Sequence, residues 1–146
     1  MSRAAAIVAL WAGWSALGAG TAHGASCTFG LVSVVFGNYD TLTNTSLDGA
    51  GSITVTCDAT DSYTVALSSG HGTLLSRQLQ SGENILYYNL YTDALRSMVW
   101  GDGTSGTSLV SGSATSATYS IYGLVPGGQN VAAGTYSDTI TVTLSF

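Results

Sequence analysis

The stretch 134–146, GTYSDTITVTLSF, decides how the rest of the chain is read. From 140 onward its even positions are Ile140, Val142, Leu144 and Phe146. Its odd positions are Thr135, Ser137, Thr139, Thr141, Thr143 and Ser145. Successive strand side chains point to opposite faces, so this is a strand with one apolar face and one hydroxyl face. The alternation is still running at Phe146, with no turn and returning strand to cover its outer edge. An apolar strand left at a sheet edge is a template for another chain. Pairing with a second molecule is the first functional expectation.

The other end of the chain has a different character. Arg3 precedes an Ala-rich apolar run over 4–19 that carries Trp11 and Trp14, and Ala22-His23-Gly24 follows. A positive residue, an apolar run and small residues at the cut define a secretory signal peptide, 1–24, cleaved after Gly24. The run is short and diluted by Gly and Ala for a bilayer span. No later stretch is suited to cross as a helix, so no stable membrane insertion is expected after cleavage.

Residues 25–146 then form one domain with a single core. The chain holds three Lys or Arg and eight Asp or Glu. Losing Arg3 with the leader leaves two arginines against eight carboxylates, a net charge of −6, and no lysine. Such a surface repels phosphate backbones and anionic lipid, which excludes nucleic-acid binding as an expectation. Cys27 and Cys57 are the only cysteines. In an exported chain they are most simply one disulfide, worth roughly 3.5 kcal/mol by the chain-entropy argument. After cleavage His71 is the single histidine, too few N or S ligands for zinc or copper. No metal or other cofactor is expected.

Strand-like alternation recurs through the interior. The segment 27–37 has Phe29 and Leu31 on one parity and Val34 and Phe36 on the other, so a bulge or a strand that switches sheets is expected near Val32-Ser33. Residues 38–50 read as a loop. The segment 51–57 alternates through Ile53, Val55 and Cys57, and 62–68 through Tyr63, Val65 and Leu67. Residues 73–80 read as a short irregular strand, and 83–93 is apolar at both parities. A strand at 96–100, a Gly/Ser/Thr loop at 101–116 and a strand at 117–125 follow. About seven short strands separated by Gly-rich turns imply an all-β antiparallel sandwich.

Catalytic chemistry is weakly signalled. Asp58 with Asp61, and Asp93 with Asp102, are conceivable carboxylate pairs, yet each sits in turn sequence where Asp is routine. No G-x-S-x-G elbow accompanies His71. The expectation is that the protein is not an enzyme. Tyr87, Tyr88, Tyr91 and Trp100 are candidate surface contacts for sugars, set against the plainer reading of core packing with a few exposed phenols.

Several stretches together carry a family likeness. Val35-Phe36-Gly37-x-Tyr39-Asp40 follows the first cysteine, then Ile53-x-Val55-x-Cys57 and Tyr63-x-Val65-x-Leu67-Ser68. Tyr88-x-Leu90-Tyr91-x-Asp93 leads to Trp100-Gly101-Asp102-Gly103. Last comes Pro126-x-x-Gln129-x-Val131-x-x-Gly134-x-Tyr136-x-Asp138-x-Ile140-x-Val142, ending in Phe146. This combination, spread over 25–146, resembles the spore coat protein U domain, also the pilin domain of archaic chaperone–usher pili.

The resemblance implies an immunoglobulin-like sandwich lacking its last strand. A periplasmic chaperone lends a strand, an outer-membrane usher receives the complex, and neighbouring pilin subunits replace the loan, an instance of β-augmentation. The groove is expected between Leu31, Val34 and Phe36 of the first strand and Ile140, Val142, Leu144 and Phe146 of the last. Only Ala25 and Ser26 precede Cys27 in the cleaved chain, too short to span a sheet at about 3.3 Å per residue. The expectation is therefore a strand acceptor, a tip or terminal subunit, passing through the periplasm to a surface pilus or coat. The alternative is a surface- or carbohydrate-binding adhesin acting through the loops at 69–82 and 101–116.

Overall fold

The computed structural model describes residues 3–15 and 26–146, and all their regular structure is β. The strands are β1 (Arg3–Ser15), β2 (Cys27–Asp40), β3 (Leu47–Cys57), β4 (Tyr63–Leu67) and β5 (His71–Thr73). They continue as β6 (Ser76–Ser81), β7 (Asn84–Tyr91), β8 (Val110–Gly112), β9 (Ser116–Val125) and β10 (Gly134–Ser145). The expected cleavage point after Gly24 lies outside the described residues.

Hydrogen-bonded neighbours run β5-β6-β7-β9-β3-β2-β1-β10-β4-β8. A contact of β6 with β10, Gln80 opposite Ser137, closes seven of these strands into a barrel-like ring. The ladders are antiparallel except that of β1 with β10, which is parallel.

Alternation builds the core. Ile53 and Val55 of β3, Val65 and Leu67 of β4, Ile121 and Val125 of β9, and Ile140, Val142 and Leu144 of β10 are all buried. Their outward neighbours on β3 and β10 are Ser and Thr, and Thr54 and Thr118 hydrogen-bond across the β3–β9 pair at 2.9 Å. Cys27 and Cys57 sit opposite each other in the β2–β3 register and are disulfide-bonded.

In β2 the register against β3 shifts between Val32 and Val35, where the change of parity predicts a bulge or a switch of sheets. Cys27, Phe29 and Leu31 turn inward before it, Val34 and Phe36 after it. Gly37, at φ 83°, marks a second irregularity that brings Tyr39 inward. A glycine takes that left-handed conformation without a Cβ clash.

Three expectations need correction. The 38–50 loop contracts to 41–46, because β2 and β3 extend into it. The strand expected at 96–100 is a turn followed by isolated bridges at Val99 and Trp100. The Asp93 carboxylate accepts the Ser97 and Met98 amides, and Arg96 is left-handed at φ 55°, so the backbone is curled away from a ladder.

The third correction is the largest. β10 is not an open edge: β4 flanks one side and β1 the other. Residues 4–14 are apolar at both parities, so either parity can face a core, and this segment completes the sandwich from the N-terminal end.

Candidate functional site

The site is a strand-shaped slot between β2 and β10, here occupied by β1. Twelve residues of β1 pair in parallel with β10, from Ala4 opposite Gly134 to Ser15 opposite Ser145. On the other side Arg3 to Val8 pair antiparallel with Asp40 to Val34. Even positions of β10 face inward, and the parallel register matches them to even positions of β1. Ala6 and Val8 are accordingly buried, Leu10 packs against the core, and Ile7 is 42% exposed on the outer face.

Of the expected groove residues, Val34, Phe36, Ile140, Val142 and Leu144 are buried on the strands flanking β1. Leu31 and Phe146 are partly buried against the same core. Leu31 lies before the β2 bulge, so it shares the inward face with Val34 despite opposite parity.

Behind the slot lies a polar cluster that hydrophobic patterning missed. Asp138 of β10, with its side chain fully buried, accepts the Tyr88 hydroxyl at 2.5 Å, the His71 amide at 2.9 Å and the Thr139 amide at 2.8 Å. His71 Nδ1 lies 2.7 Å from the same carboxylate, with its ring half exposed. Gly70, at φ 57°, is pressed against Asp138; a Cβ there would stand 2.3 Å from the carboxylate. Only glycine combines that conformation with that approach.

Arg77 of β6 is fully buried alongside this cluster. Its guanidinium donates to the carbonyls of Leu67, Ser68 and Trp100 and, at 2.7 Å, to Asn89 Oδ1. Carbonyl dipoles replace the water that the cation loses on burial. Burial lowers its pKa from the ordinary value, opposed by electrostatic attraction to the Tyr88 hydroxyl and the Asp138 carboxylate. A sequence signal existed for both residues. Arg77 shares the parity of Leu79, and Asp138 that of Tyr136 and Ile140, so each charge stands in an inward slot.

Two of the four candidate contact aromatics are corrected. Trp100 is buried and donates Nε1–H to the Val65 carbonyl, and Tyr88 is buried on Asp138. Both belong to the core because their polar tips find partners inside it. Tyr87 is 46% exposed and Tyr91 is partly buried. The 69–82 segment is mostly the β5–β6 hairpin and holds buried Arg77 and Leu79. The carboxylates of the conceivable pairs are engaged separately: Asp58 accepts the Ser26 amide, Asp61 the Ser62 amide, Asp93 the Ser97 hydroxyl and Asp102 the Thr104 hydroxyl. Among the described residues no three His, Cys, Asp or Glu side chains cluster to hold a metal.

The buried phenols set an alkaline limit. Burial, then the hydrogen bond to Tyr119, pushes Tyr63 up to about 12. Burial, then the charge of Asp138, pushes Tyr88 higher still, and burial raises Tyr91 and Tyr136. A raised folded value stabilises fully below the ordinary phenol pKa of about 10 and is lost as pH rises through the folded value. Stability should therefore fall above about pH 10, with some phenols ionising only as the sheet unfolds. Phenolate absorbance and circular dichroism, followed together, check this; uniform ionisation near pH 10 with the sheet intact would contradict it.

A sandwich in which β1 lies between β2 and β10 defines the class: an all-β domain whose last strand is paired on both sides. The comparisons place it more narrowly. The family model for the Spore Coat Protein U domain matches residues 14–143, and the chain belongs to that family. It is 36% identical over 126 residues to Protein U of Myxococcus xanthus, covering 76% of this chain and 70% of that protein.

Among solved structures it resembles the complex of the CsuC chaperone with the CsuE tip adhesion subunit, from archaic chaperone–usher Csu pili of Acinetobacter baumannii. The TM-score is 0.58 at 23% identity, over 84% of this chain and 40% of that chain. A second likeness, to the E. coli Hda pilus minor tip subunit HdaB, has a TM-score of 0.43 at 19% identity over 80% and 79% of the two chains. The fold is thus the all-β, immunoglobulin-like sandwich of pilin subunits, with one disulfide.

Proposed function

We propose that the protein is a non-enzymatic structural subunit of a surface pilus or coat, exported through the periplasm and completed by a strand from another molecule. A periplasmic chaperone supplies that strand first, an outer-membrane usher receives the complex, and a neighbouring pilin subunit follows. One observation carries the reading: the space between β2 and β10 accepts a whole strand, with ladder pairing on both sides and inward side chains buried. Removal of 1–24 at the expected cleavage point would vacate that space. With Ala25 and Ser26 alone ahead of β2, the processed chain would receive a strand without giving one, in a tip or terminal position.

The test is capture by the chaperone on co-export. Val142 is buried on β10, so Val142→Asp places a carboxylate where a donor strand would pack. An unpaired buried charge costs several kcal/mol, and each 1.4 kcal/mol is about tenfold. Capture should fall by about a hundredfold or more. Thr141→Asp, on the outward face of the same strand, should be captured like the parent. Equal capture of both variants would refute the slot as the partner's site.

A further inference from the structure

We infer that residues 3–15 are a built-in occupant of the slot, so the unprocessed chain is self-completed and closed to a partner strand. The inference rests on the proposed strand-acceptor function and adds its regulation: removing or displacing the N-terminal segment is the step that opens the site.

Three observations carry it. First, β1 is held from both sides, along twelve residues of β10 and six of β2. Second, its side chains obey the alternation that the slot demands. Ala6 and Val8 are buried while Ile7 between them is exposed. Third, the segment is tethered: eleven residues separate Ser15 from Cys27, ample where adjacent antiparallel strands need only two to five. Linking two sites through a tether of this length gives an effective concentration on the order of millimolar. A donor strand of equal affinity at micromolar concentration would therefore lose by roughly a thousandfold.

The same observations say why this occupant can be replaced. Its buried side chains at 6 and 8 are an alanine and a valine, and it leaves Ile7 facing water. A strand with larger inward side chains and a polar outer face would bury more apolar area at the first positions and expose less at the second. Once the tether is cut, the thousandfold advantage goes with it.

Disulfide trapping in the full chain tests the inference. Ala9 pairs with Thr139 in the parallel register, both away from the core, so Ala9→Cys with Thr139→Cys should cross-link on mild oxidation with diamide. The product should be a monomer on a non-reducing gel, with the 9–139 bridge found by peptide mapping beside the native Cys27–Cys57 bridge. Ala9→Cys with Thr135→Cys, four residues out of register, should cross-link at least tenfold less; about 13 Å then separates the pair, at roughly 3.3 Å per residue. A 9–139 bridge found only between two chains would overturn the inference in favour of strand exchange between copies. No bridge, or equal bridging in both variants, would overturn it outright. Either failure leaves the Val142 comparison intact, because that is read on partner capture and not on the N-terminal segment.

Discussion

Arg77→Ala is expected to lower the unfolding free energy by about 4 kcal/mol, the sum of several orphaned buried acceptors and a large cavity. The residue is inaccessible to water, and its guanidinium satisfies three backbone carbonyls and the Asn89 amide oxygen. Truncation removes those donors and leaves a cavity the size of a long side chain. Each orphaned acceptor costs about 1–3 kcal/mol. Arg77→Lys should recover only part of the loss, since one ammonium cannot reproduce the planar fork. Denaturant unfolding measures the difference, and a loss under about 1 kcal/mol for the alanine variant would refute the network's role. Because whole domains are stable by only about 5–15 kcal/mol, the variant should also accumulate poorly on export.

The second large effect is at Asp138. Asp138→Ala should cost about 3 kcal/mol, because three donors that converge on the carboxylate lose their acceptor. Tyr88→Phe should cost less, about 1–2 kcal/mol, since it removes one donor and leaves the acid partnered by two amides and the His71 ring. The two residues share a hydrogen bond, so the double variant should fall short of the sum by about 1 kcal/mol. Strict additivity would mean that the Tyr88–Asp138 contact contributes nothing. Asp138 registers with Val8 of β1, so its loss should also loosen the floor beneath the complementing strand.

These residues also show where reading by sequence stops. Alternation alone located most strands because the side-chain period of a half-buried strand is two, and one apolar face leaves an unmistakable stripe in 53–57, 63–67 and 140–144. The irregularity in β2 was legible for the same reason, since parity changes between Leu31 and Val34; the register against β3 makes it a bulge rather than a change of sheet. Arg77 and Asp138 could be read as charges at inward positions, but their partners could not. A charge at an inward position is either an error of register or half of a buried pair, and the partner lies far along the chain. Asp138 meets Tyr88 at a separation of 50 residues, and Arg77 reaches the Trp100 carbonyl across 23.

By itself the sequence determined the all-β class, the bridge from Cys27 to Cys57, and the apolar stripe of β10 with its demand for a partner. Those are local properties, set by period, parity and composition. Tertiary structure alone decided which strand meets that demand in the intact chain. An apolar run such as 4–14 has no parity of its own, so its face and neighbours are chosen by the space left between β2 and β10.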